Sequence, residues 1–324
     1  MSYADKVFVK NIKDILKHGV TDNDREVRPK WLDGTPAHTI KKFCIVNRYD
    51  LSKEFPIITI RKTNYKNCID ELLWIWQKKS NDIHDLASHI WDSWADENGT
   101  IGKAYGYQLG VKHKYKEGMF DQVDRVIYDL KNNPTSRRIM TNIYNHHDLS
   151  EMALYPCAYS MTFNVTGNKL NAILNQRSQD MLTANNWNVC QYAILVHMLA
   201  QVSGLEVGEF VHVIADAHIY DRHIPLVKEI IKQKQYKAPK FEIDKNVKDF
   251  VNPDYYERFI KERLNKDDFF TDRESAILFG VPVNFIEGIL VGRTYEKDDS
   301  ILNEIKELLP DCYICNLDGK VIRE

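Results

Sequence analysis

The sequence has no long apolar run and no excess of charge of one sign. Its 44 lysines and arginines nearly balance its 46 aspartates and glutamates, and the formal net charge is -2. We therefore expect no general attraction to nucleic acid or to an anionic membrane, so a polyanionic ligand would need a local cluster of arginines. No window approaches the apolar length that crosses a bilayer, and the start, MSYADKVFVKNIKDIL, lacks a signal-peptide core. These features predict a soluble, cytoplasmic protein.

Cysteine is also scarce, and the few cysteines are scattered: Cys44, Cys68, Cys157, Cys190, Cys312 and Cys315. Without an export signal they are expected to be reduced thiols rather than a disulfide framework. The last two form a CxxC, but no second pair and no nearby histidine completes a zinc site. We therefore interpret them as two thiols near the end of a strand and expect no metal.

What is present is the composition of a globular protein, with 44% hydrophobic and 28% charged residues. Apolar residues at helical spacing predict a first helix that ends at Gly19, a second through 69–76 and a third over 121–132. A long apolar helix is expected from Asn188 to Gly204, and another is expected to open at Pro225.

Strand patterns are interleaved with these helices. They are expected at 55–60, at 159–165 and 169–177 as a hairpin, and at 210–215. No regular βαβ repeat is visible, so the pattern predicts an α+β fold on a mixed or mainly antiparallel sheet. The character of the sequence changes after about residue 250, which predicts a main domain over 1–250 and an atypical extension, possibly a small α/β unit, over 251–324.

Single residues carry little information about function. A cysteine such as Cys157 is more often a packing residue than a nucleophile, and an asparagine such as Asn188 before an apolar helix is usually a cap. Adjacent arginines such as Arg137 and Arg138 are usually exposed.

Together, however, these residues fall in motifs that closely resemble the thymidylate synthase family. The motifs are DELLWIWQ, HIWDSWADENG, AYGYQLG, SRRI, LYPCAYSMTFNV, NQRSQD, NNWNVCQYAILVHMLAQVSGLEVGEF and DAHIYDRH. They follow the family's order and spacing from about residue 5 to about residue 250. The resemblance implies a large twisted mixed sheet flanked by helices, and a homodimer formed through the sheet face. It also implies reductive methylation of dUMP to dTMP, with 5,10-methylenetetrahydrofolate as co-substrate and dihydrofolate as product.

The resemblance assigns the chemistry to particular residues. Cys157 would add as a thiolate to carbon 6 of the uracil. The predicted hairpin brings Arg177 near Cys157, where its guanidinium can lower the thiol pKa and also hold phosphate. The phosphate site would further contain Arg25, Ser178 and the pair Arg137 and Arg138 from the other subunit. The remaining catalytic or dUMP-binding residues implied by the family are Glu71, Tyr105, Gln176, Asn188, Asp216, His218 and Tyr220.

The folate pocket is implied in the same way. Flat apolar faces would hold the pterin and benzoyl rings, and one carboxylate would accept from a pterin N–H. The residues that match this pocket are Ile90, Trp91, Trp94, Leu154, Asp180 and Trp187.

The tail is the main departure from the family, because members normally end in a short apolar segment that closes over the folate. Either Val321 and Ile322 replace that lid or closure is impaired. Two alternatives therefore stay open: a dUMP hydroxymethylase, in which water captures the one-carbon unit, and a nucleotide-binding homologue with weak catalysis and a partner-binding extension.

Overall fold

The computed structural model describes residues 1–243 and 245–250, together with two short strands nearer the C-terminus. The α-helices are α1 (Tyr3–His18), α2 (Tyr65–Leu73), α3 (Gly106–Gly110), α4 (Gln122–Asn132), α5 (Asn185–Val202) and α6 (Ile224–Ile230). A π-helical turn, Trp74–Lys78, continues α2. Short 3-10 turns lie at Ile83–Asp85, Asp92–Trp94, Leu149–Glu151 and Asp221–His223.

The strands run through the same residues. They are β1 (Val20–Thr21), β2 (Thr39–Asp50), β3 (His113–Tyr115), β4 (Gly118–Phe120), β5 (Met140–Asn142), β6 (Ala158–Thr166), β7 (Lys169–Gln176), β8 (Gln179–Asp180), β9 (Glu206–Tyr220), β10 (Ile314–Cys315) and β11 (Val321–Ile322). Seven form one sheet in the order β1-β2-β9-β7-β6-β5, with β8 beside β9. Neighbours are antiparallel except that β7 and β8 run parallel to β9. This mixed sheet confirms the predicted α+β class.

The first helix matches its sequence pattern. Phe8, Ile12 and Ile15 are buried, and Leu16 packs against the same core. Gly19 ends the helix as predicted, but its φ is -71°, so it is not a left-handed cap. A side chain there would meet the carbonyl of Ile15 at 2.5 Å, so the need for glycine comes from this close approach.

The strand predicted over 55–60 is wrong, although the segment is buried as its apolar character suggested. Two of its backbone donors are satisfied by a side chain instead of a neighbouring strand. Asp5 of α1 accepts from the N–H groups of Thr59 and Ile60 at 2.6 and 3.2 Å. Burial raises the pKa of Asp5, while these bonds act in the opposite direction.

The predicted hairpin and the central helix place the site. Strands β6 and β7 pair antiparallel through a turn in which Gly167 has φ of 62°, as predicted. Helix α5 begins at Asn185, three residues before the predicted start, and contacts both the sheet and α2. Because α5 is covered on both sides, most of its residues are buried and it lacks an exposed polar face.

The sheet face away from α5 carries exposed apolar side chains. Val46, Ile173 and Met140 are 50%, 40% and 51% exposed. Ile173 of β7 lies opposite Thr162 of β6, which in turn lies opposite Met140 of β5, so Ile173 and Met140 share one face. Exposed apolar side chains grouped on one face are a common feature of interaction surfaces.

The predicted extension lies almost wholly outside the described residues. Only β10 and β11 are described, and they form an antiparallel pair in which Cys315 lies opposite Val321. The remaining predictions for 251–324 therefore stay predictions. In the part of the chain that the structure describes, no helix is long and apolar enough to span a membrane.

Candidate active site

Cys157 immediately precedes β6, at a point where the ladder to β7 is irregular. The pairing shifts by one residue between Ala158 and Ser160, a bulge of the kind that redirects a side chain next to a site. The backbone N–H of Arg177 donates to the carbonyl of Cys157 at 2.9 Å. The guanidinium of Arg177 then lies 3.6 Å from the Cys157 sulfur and also donates to the carbonyl of Tyr155 at 2.6 Å.

This contact confirms the predicted proximity of Arg177 and Cys157, and the charge of Arg177 lowers the pKa of the thiol as expected. Burial raises the pKa of the Cys157 thiol above its ordinary value, and this outweighs the opposing charges of Arg177 and Arg28. The arginine acts in the predicted direction. The low dielectric around the sulfur disfavours the thiolate more strongly than the two positive charges favour it.

Arg28 was missed by sequence reasoning, which chose Arg25 from the same loop. Arg28 lowers the pKa of both Cys157 and Tyr220 by its charge, so it faces the site. Arg25 has an exposed side chain, and among the residues that the structure describes only its backbone N–H is engaged, with Asp22. Trp31, three residues after Arg28, could have distinguished the two arginines. Its indole packs edge-on against Tyr220 and so holds this part of the loop beside the site.

Glu71 lies in the last turn of α2, buried beneath the site. One carboxylate oxygen accepts from the indole N–H of Trp91 at 2.7 Å, and the other accepts from Trp187 and from Gln191, the latter at 2.8 Å. Burial raises the pKa of Glu71, although these three donors oppose that shift. A carboxyl group with a raised pKa inside a pocket is suited to take up and release protons.

Asn188 is not a helix cap, because its backbone N–H already donates to the carbonyl of Ala184 within α5. Its side-chain oxygen accepts from Gln176 at 3.1 Å, and its side-chain nitrogen donates to Gln191 at 3.4 Å. Gln176 also contacts His212 on β9, at 2.7 Å. A continuous series of amides therefore runs from β9 to Glu71.

Tyr105 adopts a strained backbone conformation next to the nucleophile candidate. Its φ is 45°, and its hydroxyl accepts from the N–H of Cys157 at 3.3 Å. The ring packs edge-on against Trp91, and burial raises the Tyr105 pKa far above its ordinary value. Left-handed backbone at a non-glycine residue is typical of functional sites, where surrounding contacts maintain it.

The end of β9 contributes three further predicted residues. His218 Nδ1 lies 2.9 Å from a carboxylate oxygen of Asp216, and Lys41 lies 3.3 Å from the other oxygen. Burial raises the pKa of Asp216, but its hydrogen bond with His218 and the charges of His218 and Lys41 outweigh this, and the net shift is downward. Tyr220 packs edge-on against His218. Its pKa is raised, mainly by burial and then by Asp180, Cys157 and Asp216.

The residues predicted for the folate differ in burial and in their hydrogen bonds. Trp91 and Trp187 are tied to Glu71, and Ile90 and Leu154 are half-buried against the core. Trp94 is 41% exposed and presents a free aromatic face. Asp180 accepts from the N–H groups of Leu182 and Thr183, so one of its oxygens is already occupied.

Two predicted residues are not brought to this cluster by the chain itself. Arg137 and Arg138 are exposed between α4 and β5, and within the described residues neither side chain makes an ion pair or a hydrogen bond. Ser178 lies beside Arg177, and its carbonyl accepts from Gln176 at 3.0 Å. In residues 1–250, apart from 244, no group of three or more potential metal ligands is assembled.

Comparison with known proteins identifies the same family as the sequence motifs. A family model described as thymidylate synthase matches residues 6–263. The thymidylate synthases of Bacillus subtilis subsp. natto and of Bacillus phage phi3T are each 47% identical over 257 residues, which is 78% of this chain and 92% of theirs. A solved structure, thermostable thymidylate synthase A from Bacillus subtilis, aligns with a TM-score of 0.74 at 46% identity, covering 77% of this chain and 91% of that chain. The domain boundary near residue 250 stays a prediction.

Proposed function

Because the chain belongs to the thymidylate synthase family, we propose that it converts dUMP to dTMP with 5,10-methylenetetrahydrofolate as co-substrate. The chain is thus a methyltransferase. The observation that carries the proposal is the Cys157 sulfur 3.6 Å from the Arg177 guanidinium, beside the strained Tyr105.

Cys157 is the nucleophile in this proposal. Its thiolate forms a bond to carbon 6 of the uracil, and the π electrons of the carbon 5–carbon 6 bond move toward carbon 5 and the oxygen on carbon 4. Carbon 5 thereby becomes nucleophilic. The nearby positive charges of Arg177 and Arg28 favour the thiolate against the effect of burial. A bound reduced folate supplies the one-carbon unit and then the hydride that makes it a methyl group.

Three residues handle protons and hold the base. Glu71, buried with a raised pKa, passes protons toward the base and the folate through water. Tyr105, whose hydroxyl contacts the N–H of Cys157, assists removal of the proton on carbon 5. Asn188 binds the uracil edge, since an amide both donates and accepts.

The sugar is bound by residues at the end of β9. Asp216 holds His218 by the hydrogen bond at 2.9 Å, and His218 and Tyr220 bind the sugar hydroxyl.

The phosphate is held by arginines in an otherwise nearly neutral protein. Arg177 contributes from β7's end and Ser178 lies beside it. The charge of Arg28 on Cys157 and Tyr220 supports that residue, rather than Arg25, as the ligand from the N-terminal loop. A doubly charged phosphate suits several guanidinium groups, each of which can donate two parallel hydrogen bonds.

Arg137 and Arg138 complete the phosphate site from a second subunit. Their side chains are exposed and make no ion pair within the described residues of their own chain. The apolar outer sheet face, with Val46, Ile173 and Met140, supports a homodimer formed through that face. A twofold interface there gives two sites, each sharing residues from both chains.

The folate occupies the apolar side of the pocket. Trp94 offers an exposed aromatic face for ring stacking, and Ile90, Leu154 and the tryptophans bound to Glu71 form the adjoining wall. The second oxygen of Asp180 has no hydrogen-bond donor among the described residues, so it can accept from a pterin N–H. The cytoplasmic location stays a prediction.

The test is turnover of dUMP and 5,10-methylenetetrahydrofolate by the full chain, with the nucleotide product identified by mass. We expect dTMP together with dihydrofolate; 5-hydroxymethyl-dUMP would identify the hydroxymethylase instead. Cys157→Ala should abolish turnover, and 5-fluoro-dUMP with the folate should form a covalent adduct only with the parent. Cys44→Ala, which removes an exposed thiol on β2, is the matched control and should change neither result. An adduct on Cys157→Ala would exclude the proposed nucleophile.

A further inference from the structure

His212 is a polar side chain in the interior with no assigned role. It lies in the middle of β9, is 0% exposed and packs against Phe210. Its Nε2 lies 2.7 Å from the side-chain oxygen of Gln176, while its Nδ1 has no partner among the described residues. Burial lowers the pKa of His212 to about 3, so the ring is neutral and carries one N–H.

The direction of every hydrogen bond in the amide series can be derived from groups that cannot switch. The side-chain nitrogen of Gln191 donates to the backbone carbonyl of Cys68 at 3.5 Å, which can only accept, and the same nitrogen donates to Glu71 at 2.8 Å. The side-chain oxygen of Gln191 is then turned toward Asn188 and accepts from the Asn188 nitrogen at 3.4 Å. This leaves the Asn188 oxygen to accept from Gln176 at 3.1 Å.

Gln176 has a second, independent constraint. Its side-chain nitrogen also donates to the backbone carbonyl of Ser178 at 3.0 Å, and a carbonyl can only accept. The Gln176 oxygen must therefore face His212, and it needs a donor there because it is buried. The one N–H of a neutral His212 satisfies it only from Nε2.

We propose that His212 is a positioning residue that, by donating from Nε2 to Gln176, fixes the direction of the amide series and thereby the way Asn188 presents its oxygen and nitrogen to the pyrimidine. This inference rests on the proposed function of Asn188. With the series in this direction, Asn188 keeps one oxygen lone pair for a ring N–H and one N–H for a carbonyl. Uracil offers that pair of groups, whereas cytosine offers a bare ring nitrogen and an amino group.

Without His212, the Gln176 oxygen is a buried acceptor with no partner. Rotation of the amide relieves this, but it breaks the bonds from Gln176 to Asn188 and Ser178. A buried unsatisfied group is costly, so Asn188 loses its fixed orientation and discrimination between uracil and cytosine weakens.

The experiment compares His212→Phe with His197→Phe. His197 is also a buried histidine, with its pKa lowered to about 4, but it packs between Phe55 and Phe241 away from the amide series. The readout is the ratio of dUMP to dCMP, both in kcat/KM and in binding affinity by calorimetry. We expect His212→Phe to lower this ratio by roughly three- to tenfold, His212→Gln to restore most of it, and His197→Phe to leave it unchanged.

An unchanged ratio in His212→Phe would overturn the inference, as would an equal loss in His197→Phe. If His212→Phe does not fold, nitrogen NMR of the parent decides. A neutral ring protonated on Nε2 supports the inference, and one protonated on Nδ1 overturns it. A parent that binds dUMP but forms no dTMP contradicts the proposed function alone, because the binding ratio and the ring protonation need no turnover.

Discussion

The floor of the site, formed by Glu71, Gln176, Asn188 and Gln191, has its polar groups paired by the chain itself. The rim, formed by Arg28, Arg137 and Arg138, is exposed, and within the described residues none of these three side chains makes an ion pair. A buried carboxylate without donors would cost several kcal/mol or more, so the floor must be assembled as the protein folds. Exposed guanidinium groups carry no such penalty, so they need no partner until a phosphate binds.

The comparison teaches that the two regions contribute differently. The floor is preorganised, so altering it should damage both stability and chemistry. The rim should affect ligand binding and the thiolate while leaving the fold intact. Substitutions in the two regions should therefore differ in effect, with the largest loss at Glu71.

Glu71→Gln should be the most damaging change in the floor. It replaces one acceptor oxygen with an amide NH₂ group. That donor then faces another donor, from Trp91, Trp187 or Gln191. We expect kcat to fall roughly a hundredfold or more, since a general acid–base group is lost, and the free energy of unfolding to drop by about 1–3 kcal/mol. Dihydrofolate absorbance and urea titration measure the two effects.

Asp70→Asn is the matched control on the same helix. Asp70 also has a pKa raised by burial, and it accepts from the backbone N–H groups of Ala87 and Ser88. Turnover should stay close to that of the parent because Asn still accepts. An equal loss of kcat in both variants would mean that the helix, rather than the Glu71 carboxylate, is what matters.

The rim arginines can be tested for action across a dimer. Chains carrying Arg137→Ala with Arg138→Ala, and chains carrying Cys157→Ala, should each be nearly inactive. After mixing and exchange of subunits, one site of each mixed dimer regains both features, so about a quarter of the parental activity should return. If the arginines act within their own chain, no mixed dimer contains a complete site and no activity returns.

Asn188→Asp should shift the base preference from dUMP toward dCMP. A protonated carboxyl can donate to the ring nitrogen of cytosine. When the new aspartate is ionised, it can no longer donate to Gln191 as Asn188 does. The loss of a buried amide bond predicts about a tenfold or larger fall in kcat/KM for dUMP. Competition assays with both nucleotides measure the ratio, and an unchanged ratio would contradict the role of Asn188 in the floor.

The smallest effect is expected at Arg28. Its charge lowers the pKa of Cys157, so Arg28→Gln should raise that pKa further and reduce the thiolate fraction at any pH below it. Alkylation of Cys157, followed by peptide mass, should therefore slow by a few-fold at fixed pH. Arg25→Gln, in the same loop, is the control and should leave the rate unchanged.

Features that depend on residues close together in the sequence could be predicted. The period of Phe8, Ile12 and Ile15 predicts α1 because a helix repeats along the chain. The hairpin turn at Gly167 brings Arg177 to Cys157, and this follows from local strand pairing. The strand predicted at 55–60 was wrong because the hydrogen-bond partner of this segment, Asp5, is 54 residues away from Thr59 in the sequence.

The sequence by itself determined the α+β class, the family and most of the residues gathered around Cys157, because motif order and local periodicity carry that information. Only the tertiary structure decided the net rise in the Cys157 pKa, which depends on how deeply the thiol is buried among residues distant in the chain. It likewise showed that the charge of Arg28 acts on Cys157 and Tyr220, and that three amides connect His212 to Glu71. Burial and the direction of hydrogen bonds are properties of the packed neighbourhood, and no single segment contains them.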